Sequence, residues 1–279
     1  MVYLDLSHKD PHELDVKLGG IIEIYEKFTG DDPRKVPMKI FPAVHYSMGG
    51  LWVDYDQMTN IPGLFAAGEC DYSQHGANRL GANSLLSAVF GGSVAGPNAV
   101  KYMKGLSTHA EDLDDSIYEN EVKLEQEKWE QTLAMKGTEN AYLLHKELGE
   151  WMTDNVTVVR YNDKLEETDR KIQELMERYE NINMDDTQRW SNQGASFTRQ
   201  LKNMLYLARV ITLGALQRNE SRGAHYKPDF PERNDEEFMK TTMAKFDPAT
   251  GAPIIHYEDI DISLVAPRKR DYSSSKGAK

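Results

Sequence analysis

Gly63-Leu-Phe-Ala-Ala-Gly-Glu69 and, a few residues on, His75-Gly-Ala-Asn-Arg-Leu-Gly-Ala-Asn-Ser-Leu-Leu86 decide how the chain is read. The first stretch is a short apolar run that ends at Gly68 and delivers a carboxylate, Glu69. The second is a glycine-rich loop that opens a helix at Asn83-Ser84. An acid at the end of a strand can accept hydrogen bonds from ribose hydroxyls, and a helix N-terminus beyond it can hold an electron-rich group. Together they read as one half of a dinucleotide site. No Gly-x-Gly-x-x-Gly follows a strand anywhere in the chain to supply the pyrophosphate half.

Upstream of this stretch, residues 2–6 read as a strand, and Pro11 starts a helix with Leu14, Leu18, Ile21, Ile22 and Tyr25 on one face. Ile40 to Tyr46 reads as extended. Leu51, Val53 and Tyr55 alternate with Trp52, Asp54 and Asp56, the pattern of a half-buried strand, and Leu64 to Ala67 reads as a short buried one. Ser84 to about Met103 is predicted helical. Gly91, Gly92 and Gly96 inside it lower helix propensity by roughly 1 kcal/mol each, so a backbone or flat ligand is expected close by.

Downstream of Gly105 the composition turns acidic and helical. Leu113, Ile117, Leu124 and Leu133 fall at approximate helical spacing, and further apolar faces follow at Leu144–Met152 and Leu165–Tyr179. The most apolar helix spans Phe197 to Leu216, and the whole reads as an antiparallel bundle. Strands are expected at about Met239–Phe246 and Ile254–Val265, followed by a disordered tail from Asp271 to Lys279.

The chain has 279 residues with a net charge of −12, so a general basic surface for nucleic acid is excluded. Its single cysteine, Cys70, rules out an internal disulfide framework or a cysteine metal cluster, and a reducing cytosol fits best. No apolar run reaches membrane-spanning length, and the N-terminus lacks a signal-peptide pattern, beginning instead as though cut from something longer.

His45-Tyr-Ser-Met-Gly-Gly50, the two stretches quoted above and Asn219-Glu-Ser-Arg-Gly-Ala-His225 stand in an order that closely resembles the flavoprotein subunits of succinate dehydrogenase and fumarate reductase. The resemblance covers essentially the whole chain but only the C-terminal half of that subunit. It implies an FAD cofactor, succinate and fumarate as substrates, an iron–sulfur partner subunit and, indirectly, a membrane anchor. The complete subunit is then expected on the cytoplasmic face of a membrane. The family's FAD-linking histidine and proton-shuttle arginine have no counterpart here, so no catalytic residue is assigned and the isolated chain is expected to be inactive.

Each candidate residue also has a plainer role. Glu69 is an acid in a surface turn or, as in the family, an FAD contact. Asn83, Ser84 and Leu85 sit at an ordinary helix start, with Ser84 as its cap, or face the flavin ring with the positive helix end. Arg79, between Gly76 and Gly81, is a solvated charge or a planar fork that binds a carboxylate in both prongs. The resemblance assigns it to the dicarboxylate. His45 is a satisfied core group or, on the resemblance, a second contact to the substrate carboxylate.

Cys70 reads as packing. His75 and His225 belong to no compact ligand cluster, and no metal site is expected. Arg218, Arg222 and His225 are read either as cations at the negative end of the last bundle helix or as part of an interface with a partner subunit, two roles the sequence does not separate.

The expected fold is therefore α+β: the end of a capping domain at 1–45, the back of an FAD-binding domain at 46–106, a helical bundle at 107–225 and a small β-containing unit at 226–279. The expected parent function is oxidation of succinate to fumarate with electrons passed on to quinone. L-aspartate oxidase and a non-catalytic docking fragment are the alternatives.

Overall fold

The computed structural model describes residues 2–41 and 43–268, and the chain divides into two units, Met1–Ser47 and Met48–Lys279. The tail expected to be disordered lies outside the described residues.

In the first unit, strand β1 (Val2–Leu4) pairs antiparallel with β2 (Met38–Ile40), Val2 opposite Ile40. Helix α1 (Pro11–Thr29) lies between them in sequence. Its start is written in the chain: the Asp10 side chain accepts from the Glu13 amide and Pro11 presets φ for the first turn. It stops at Gly30, which takes the left-handed conformation (φ 76°) that lets its N–H reach the Glu26 carbonyl. Leu14 and Ile22 are buried and Leu18 and Tyr25 half-buried, as the periodicity requires, whereas Ile21 is exposed on the flank of that stripe. The expected extended run to Tyr46 forms a ladder only as far as Ile40.

The second unit opens with an irregular segment held by single bridges rather than ladders: Leu51 with Asp71, Val53 with Thr59 and Met58 with Phe65. The strands expected at 51–55 and 64–67 are thus absent as regular elements. Val53 and Ala66 are buried, but Tyr55 is 89% exposed. Alternation specifies a strand only where a neighbouring strand takes up its hydrogen bonds, and single bridges leave most of these groups without one. Helix α2 (Asn83–Lys104) follows with Pro97 in its interior.

Four helices form the bundle: α3 (Asp115–Leu133), α4 (Ala141–Met152), α5 (Asn162–Tyr179) and α6 (Gln193–Gln217). Asn140 and Asn192 cap α4 and α6 by accepting backbone amides. Leu144, Ile172, Leu175, Leu201 and Leu205 are buried in one cluster, each worth about 1.5–3 kcal/mol of transfer free energy. A π-helical turn, Thr153–Thr157, continues α4 and sets Val156 into a second cluster with Leu165 and Ala215. Helix α3 departs from expectation: Leu113 just before it and Ile117 and Leu124 within it are exposed, and it joins the core at its C-terminal end, through Trp129 and Leu133.

A short helix α7 (Asp235–Phe238) leads into the hairpin of β3 (Lys240–Asp247) and β4 (Ala252–Asp259), with Lys240 opposite Asp259. The second strand was expected to reach Val265. It ends at Asp259 because β3 begins at Lys240 and offers nothing further to pair, so Ile260, Ile262 and Leu264 are exposed. The fold is α+β, as the sequence indicates.

Candidate functional site

The site is built on the segment 48–74. Leu51 donates to the Cys70 carbonyl at 2.7 Å and accepts from Tyr72, which fixes the approach to Glu69. Gly50 has to be glycine: a Cβ there would lie 2.1 Å from the Cys70 carbonyl oxygen. Glu69 stands exposed in a 3-10 turn, Gly68–Cys70, rather than at the end of a regular strand. Gly68 enters that turn with φ 87°, and α2 packs against it through Ala88.

The glycine prediction for α2 holds at one of its three positions. A Cβ at Gly91 would meet Gln74, Ala67 and Gln57 at 3.0–3.2 Å, so the segment packs directly on the helix backbone. At Gly92 and Gly96 a Cβ would meet nothing within 4 Å.

The loop 75–82 carries Arg79, which is half-buried and donates from Nη1 to the Leu80 carbonyl at 3.1 Å. His75 anchors the loop to α2 through Ser87 Oγ at 3.1 Å. Ser87 donates its own proton to the Ser84 carbonyl, so the imidazole Nε2 is the donor in the pair. Ala82 closes the loop in the left-handed conformation (φ 65°) and caps α2 without any side-chain hydrogen bond. Ser84 therefore lies inside the helix and does not cap it, contrary to the plainer sequence reading. A left-handed residue turns the chain so sharply that no side chain is set to reach back to the first amides. Asn83, Ser84 and Leu85 instead form the first turn; the Asn83 amide donates to the Leu80 carbonyl at 3.3 Å, and the amides after it belong to the end of the helix that carries its positive dipole.

His45 lies in the first unit, exposed in an irregular segment. Cys70 is exposed, with its thiol directed to the Ala67 carbonyl at 3.4 Å. Among the described residues, no cluster of three His, Cys, Asp or Glu side chains is arranged to hold a metal ion.

A feature that sequence reasoning missed lies against the loop. The residues after α6 form a tight hairpin in which Arg222 and His225 exchange backbone hydrogen bonds at 2.8 and 3.0 Å around Gly223-Ala224. Ala224 donates to the Ala77 carbonyl at 2.9 Å. The cations expected to neutralise the end of α6 do other work. Arg218 is buried and donates to the carbonyls of Phe238 and Lys240 and to Glu220. The cation on the helix end is Lys227, wholly buried, which donates to the Leu216 carbonyl, Asn162 and Asn219.

Burial pushes the Lys227 ammonium down to about 8, assisted by the Arg160 charge. His225 is pushed down to about 4 by burial, with Arg160, Lys227 and Arg218 adding repulsion against its hydrogen bond to the Arg218 carbonyl. It is therefore neutral at pH 7, accepting from Arg160 on Nδ1 and donating through Nε2. Burial works to raise the Glu220 carboxyl. Arg222, the Asn234 amide and Arg218 nonetheless hold it below the usual carboxylate value. The signal in the sequence was Asn219-Glu-Ser-Arg-Gly-Ala-His225 itself, where four ionisable or amide side chains crowd one glycine.

The second-unit site fits a flavin nucleotide. Glu69 is a solvent-facing acceptor, the α2 N-terminus is uncapped by side chains, and Gly76 and Gly81 leave open space beside Arg79. A helix end of this kind stabilises negative charge by about 0.3–1 kcal/mol at a surface and more when buried.

The class is that of the FAD-binding flavoproteins: residues 1–85 match the FAD binding domain family. Residues 145–272 match the fumarate reductase flavoprotein C-terminal family. The chain is 75% identical over 279 residues to the succinate dehydrogenase flavoprotein subunit of Bacillus subtilis, covering 100% of itself and 48% of that protein. It is 34% identical over 281 residues to the fumarate reductase flavoprotein subunit of Escherichia coli, covering 100% of itself and 46% of that protein. A solved E. coli quinol fumarate reductase superposes with a TM-score of 0.88 at 33% identity, over 96% of this chain and 45% of that one. The chain belongs to the family of succinate dehydrogenase and fumarate reductase flavoprotein subunits and spans about half the length of the curated relatives it matches. The L-aspartate oxidase alternative is not favoured.

Proposed function

We propose that this chain is part of an FAD-dependent catalytic subunit that interconverts succinate and fumarate and hands electrons to an iron–sulfur partner and quinone. The observation that carries the reading is the loop 75–82, which holds Arg79 at the threshold of an uncapped helix N-terminus. In it, a carboxylate-binding fork and a stabiliser of negative charge stand on one rigid turn.

In this reading Arg79 binds one substrate carboxylate with two parallel N–H donors and His45 contacts the dicarboxylate as well. Two-pronged binding of one carboxylate orients the substrate. Glu69 accepts from ribose hydroxyls, while Asn83, Ser84 and Leu85 line the flavin from the first turn of α2. FAD, when bound, supplies the two-electron chemistry. These residues bind and orient, and the proton on the neighbouring carbon is taken by a group outside this set. We assign residues 107–225 to the bundle that docks partner subunits and 226–279 to a separate small domain. No described helix is long and apolar enough to cross a membrane; attachment through partner subunits at the cytoplasmic face is part of this proposal.

The test is Arg79→Ala in the full-length subunit. Loss of a desolvated, charge-assisted pair costs about 3–5 kcal/mol, so turnover should fall by two orders of magnitude or more with flavin still bound. Wild-type steady-state kinetics would remove Arg79 from the substrate site.

A further inference from the structure

The loop that carries Arg79 is braced from outside its own domain segment, and the brace is more elaborate than a surface turn needs. Gly223 has φ 60°, and a Cβ on it would lie 2.4 Å from the Ala77 carbonyl oxygen and 2.6 Å from its carbon. The obstruction is backbone, which cannot swing aside as a side-chain tip would. Ala224 then hydrogen-bonds the same carbonyl at 2.9 Å. Ala77 is two residues from Arg79, so the hairpin touches the loop next to the proposed substrate contact.

The hairpin is fastened on each side. Arg222 is clamped by Glu220 and Asp235, and Glu220 is wholly buried between Arg222 and Arg218. Arg218 ties it to the start of β3 through the Phe238 and Lys240 carbonyls. His225 ties it to Arg160, which itself donates to the Val156 carbonyl in the π-helical turn. Ser221 closes the rear of the hairpin on the Lys227 and Phe230 carbonyls. Buried charge is costly and is kept where geometry must be held. Besides the bundle and the segment from Phe230 to Lys240, this network reaches the loop 75–82 at the Ala77 carbonyl.

We propose that the Arg222–His225 hairpin is a positioning element for Arg79, with Gly223 and Ala224 setting the height of the loop and Arg160 and Glu220 holding the hairpin. This rests on the reading of Arg79 as the carboxylate-binding residue. The hairpin touches no reacting atom. It acts by fixing the loop backbone from which the guanidinium is presented, where an error of about 1 Å is enough to cost two orders of magnitude in rate.

The experiment uses the full-length subunit with its flavin and compares wild type, Gly223→Ala, Arg160→Gln and Arg79→Ala. Three quantities are read: flavin content, amide exchange over residues 76–81, and the Kd of malonate from the flavin absorbance change. Gly223→Ala is expected to retain flavin, to exchange at least tenfold faster in 76–81 and to bind malonate at least tenfold more weakly, with KM for succinate rising more than kcat falls. Arg160→Gln, which leaves the loop contact itself in place, should show the same pattern severalfold.

A merely structural role would lower flavin content and melting temperature without singling out 76–81. Wild-type exchange in 76–81 for Gly223→Ala overturns the inference. Should that variant not fold, wild-type exchange and malonate affinity in Arg160→Gln overturn it equally. Faster exchange with malonate affinity unaltered in both Gly223→Ala and Arg79→Ala would instead remove the dicarboxylate reading and leave the brace standing.

Discussion

Acid should loosen this protein through His225 before it reaches the carboxylates. The imidazole is held neutral at about 4 against an ordinary value of 6.5, because burial and three nearby cations, Arg160, Lys227 and Arg218, oppose a further positive charge. A folded-state value below the unfolded one means that the unfolded chain binds the proton first. Stability is therefore complete above pH 6.5 and falls as the pH drops through the window between 6.5 and 4. Linkage over that window gives a loss of about 2 kcal/mol between pH 7.5 and pH 5, approaching about 3 kcal/mol at pH 4.

Urea unfolding at pH 7.5 and pH 5, followed by circular dichroism and tryptophan fluorescence, would measure it. His225→Gln keeps an amide donor near the Nε2 position and cannot titrate. Its stability should be lower at pH 7.5 yet change by less than half as much on acidification. An equal loss in wild type and variant would assign the acid sensitivity to a group other than His225.

Lys227→Met should destabilise the chain by about 1–3 kcal/mol, since the buried ammonium's bonds to the Leu216 carbonyl, Asn162 and Asn219 would be lost and the carbonyl left without that donor; a thermal melt checks it. A variant as stable as wild type would show that the ammonium is not satisfying them. Glu69→Gln in the full-length subunit should lower the flavin-to-protein ratio more than it weakens malonate binding to the remaining holoprotein. Equal flavin content would return Glu69 to an ordinary surface turn.

Helix boundaries were legible in part. Pro11 marks the start of α1 and the buried positions of α5 follow its periodicity, whereas α6 begins at Gln193, four residues before the expected Phe197, under an Asn192 cap that the apolar pattern does not show. What failed depended on partners that a local pattern does not contain. Leu51-Val53-Tyr55 has the right alternation but meets only single bridges, and Ile260 to Leu264 alternates past the end of the strand it would pair with. Leu113, just before α3, and Ile117 and Leu124 within it keep helical spacing while the rest of the bundle is packed elsewhere.

The site shows the same division. Arg79, Glu69 and the start of α2 could be singled out from one short stretch and its resemblance to a family. The role of Gly223 could not, because its reason is a carbonyl about half the chain away. The charged run before it read as helix-end neutralisation, a local rule, when its hydrogen bonds reach β3, the π-helical turn and Asp235.

The π-helical turn at Thr153–Thr157 also acts as a phase setter for everything after it. A π turn takes up one residue more than an α turn, and each residue of an α-helix advances the chain by about 100°. Deleting a single residue there would let α4 run on as ordinary helix, but would swing the following segment by roughly that angle. Val156 would leave its contact with Leu165 and Ala215, and Arg160 would point away from His225. The surplus residue is thus a frame adjustment within the bundle, and single-residue insertions or deletions should be tolerated far less between 152 and 160 than in the exposed length of α3.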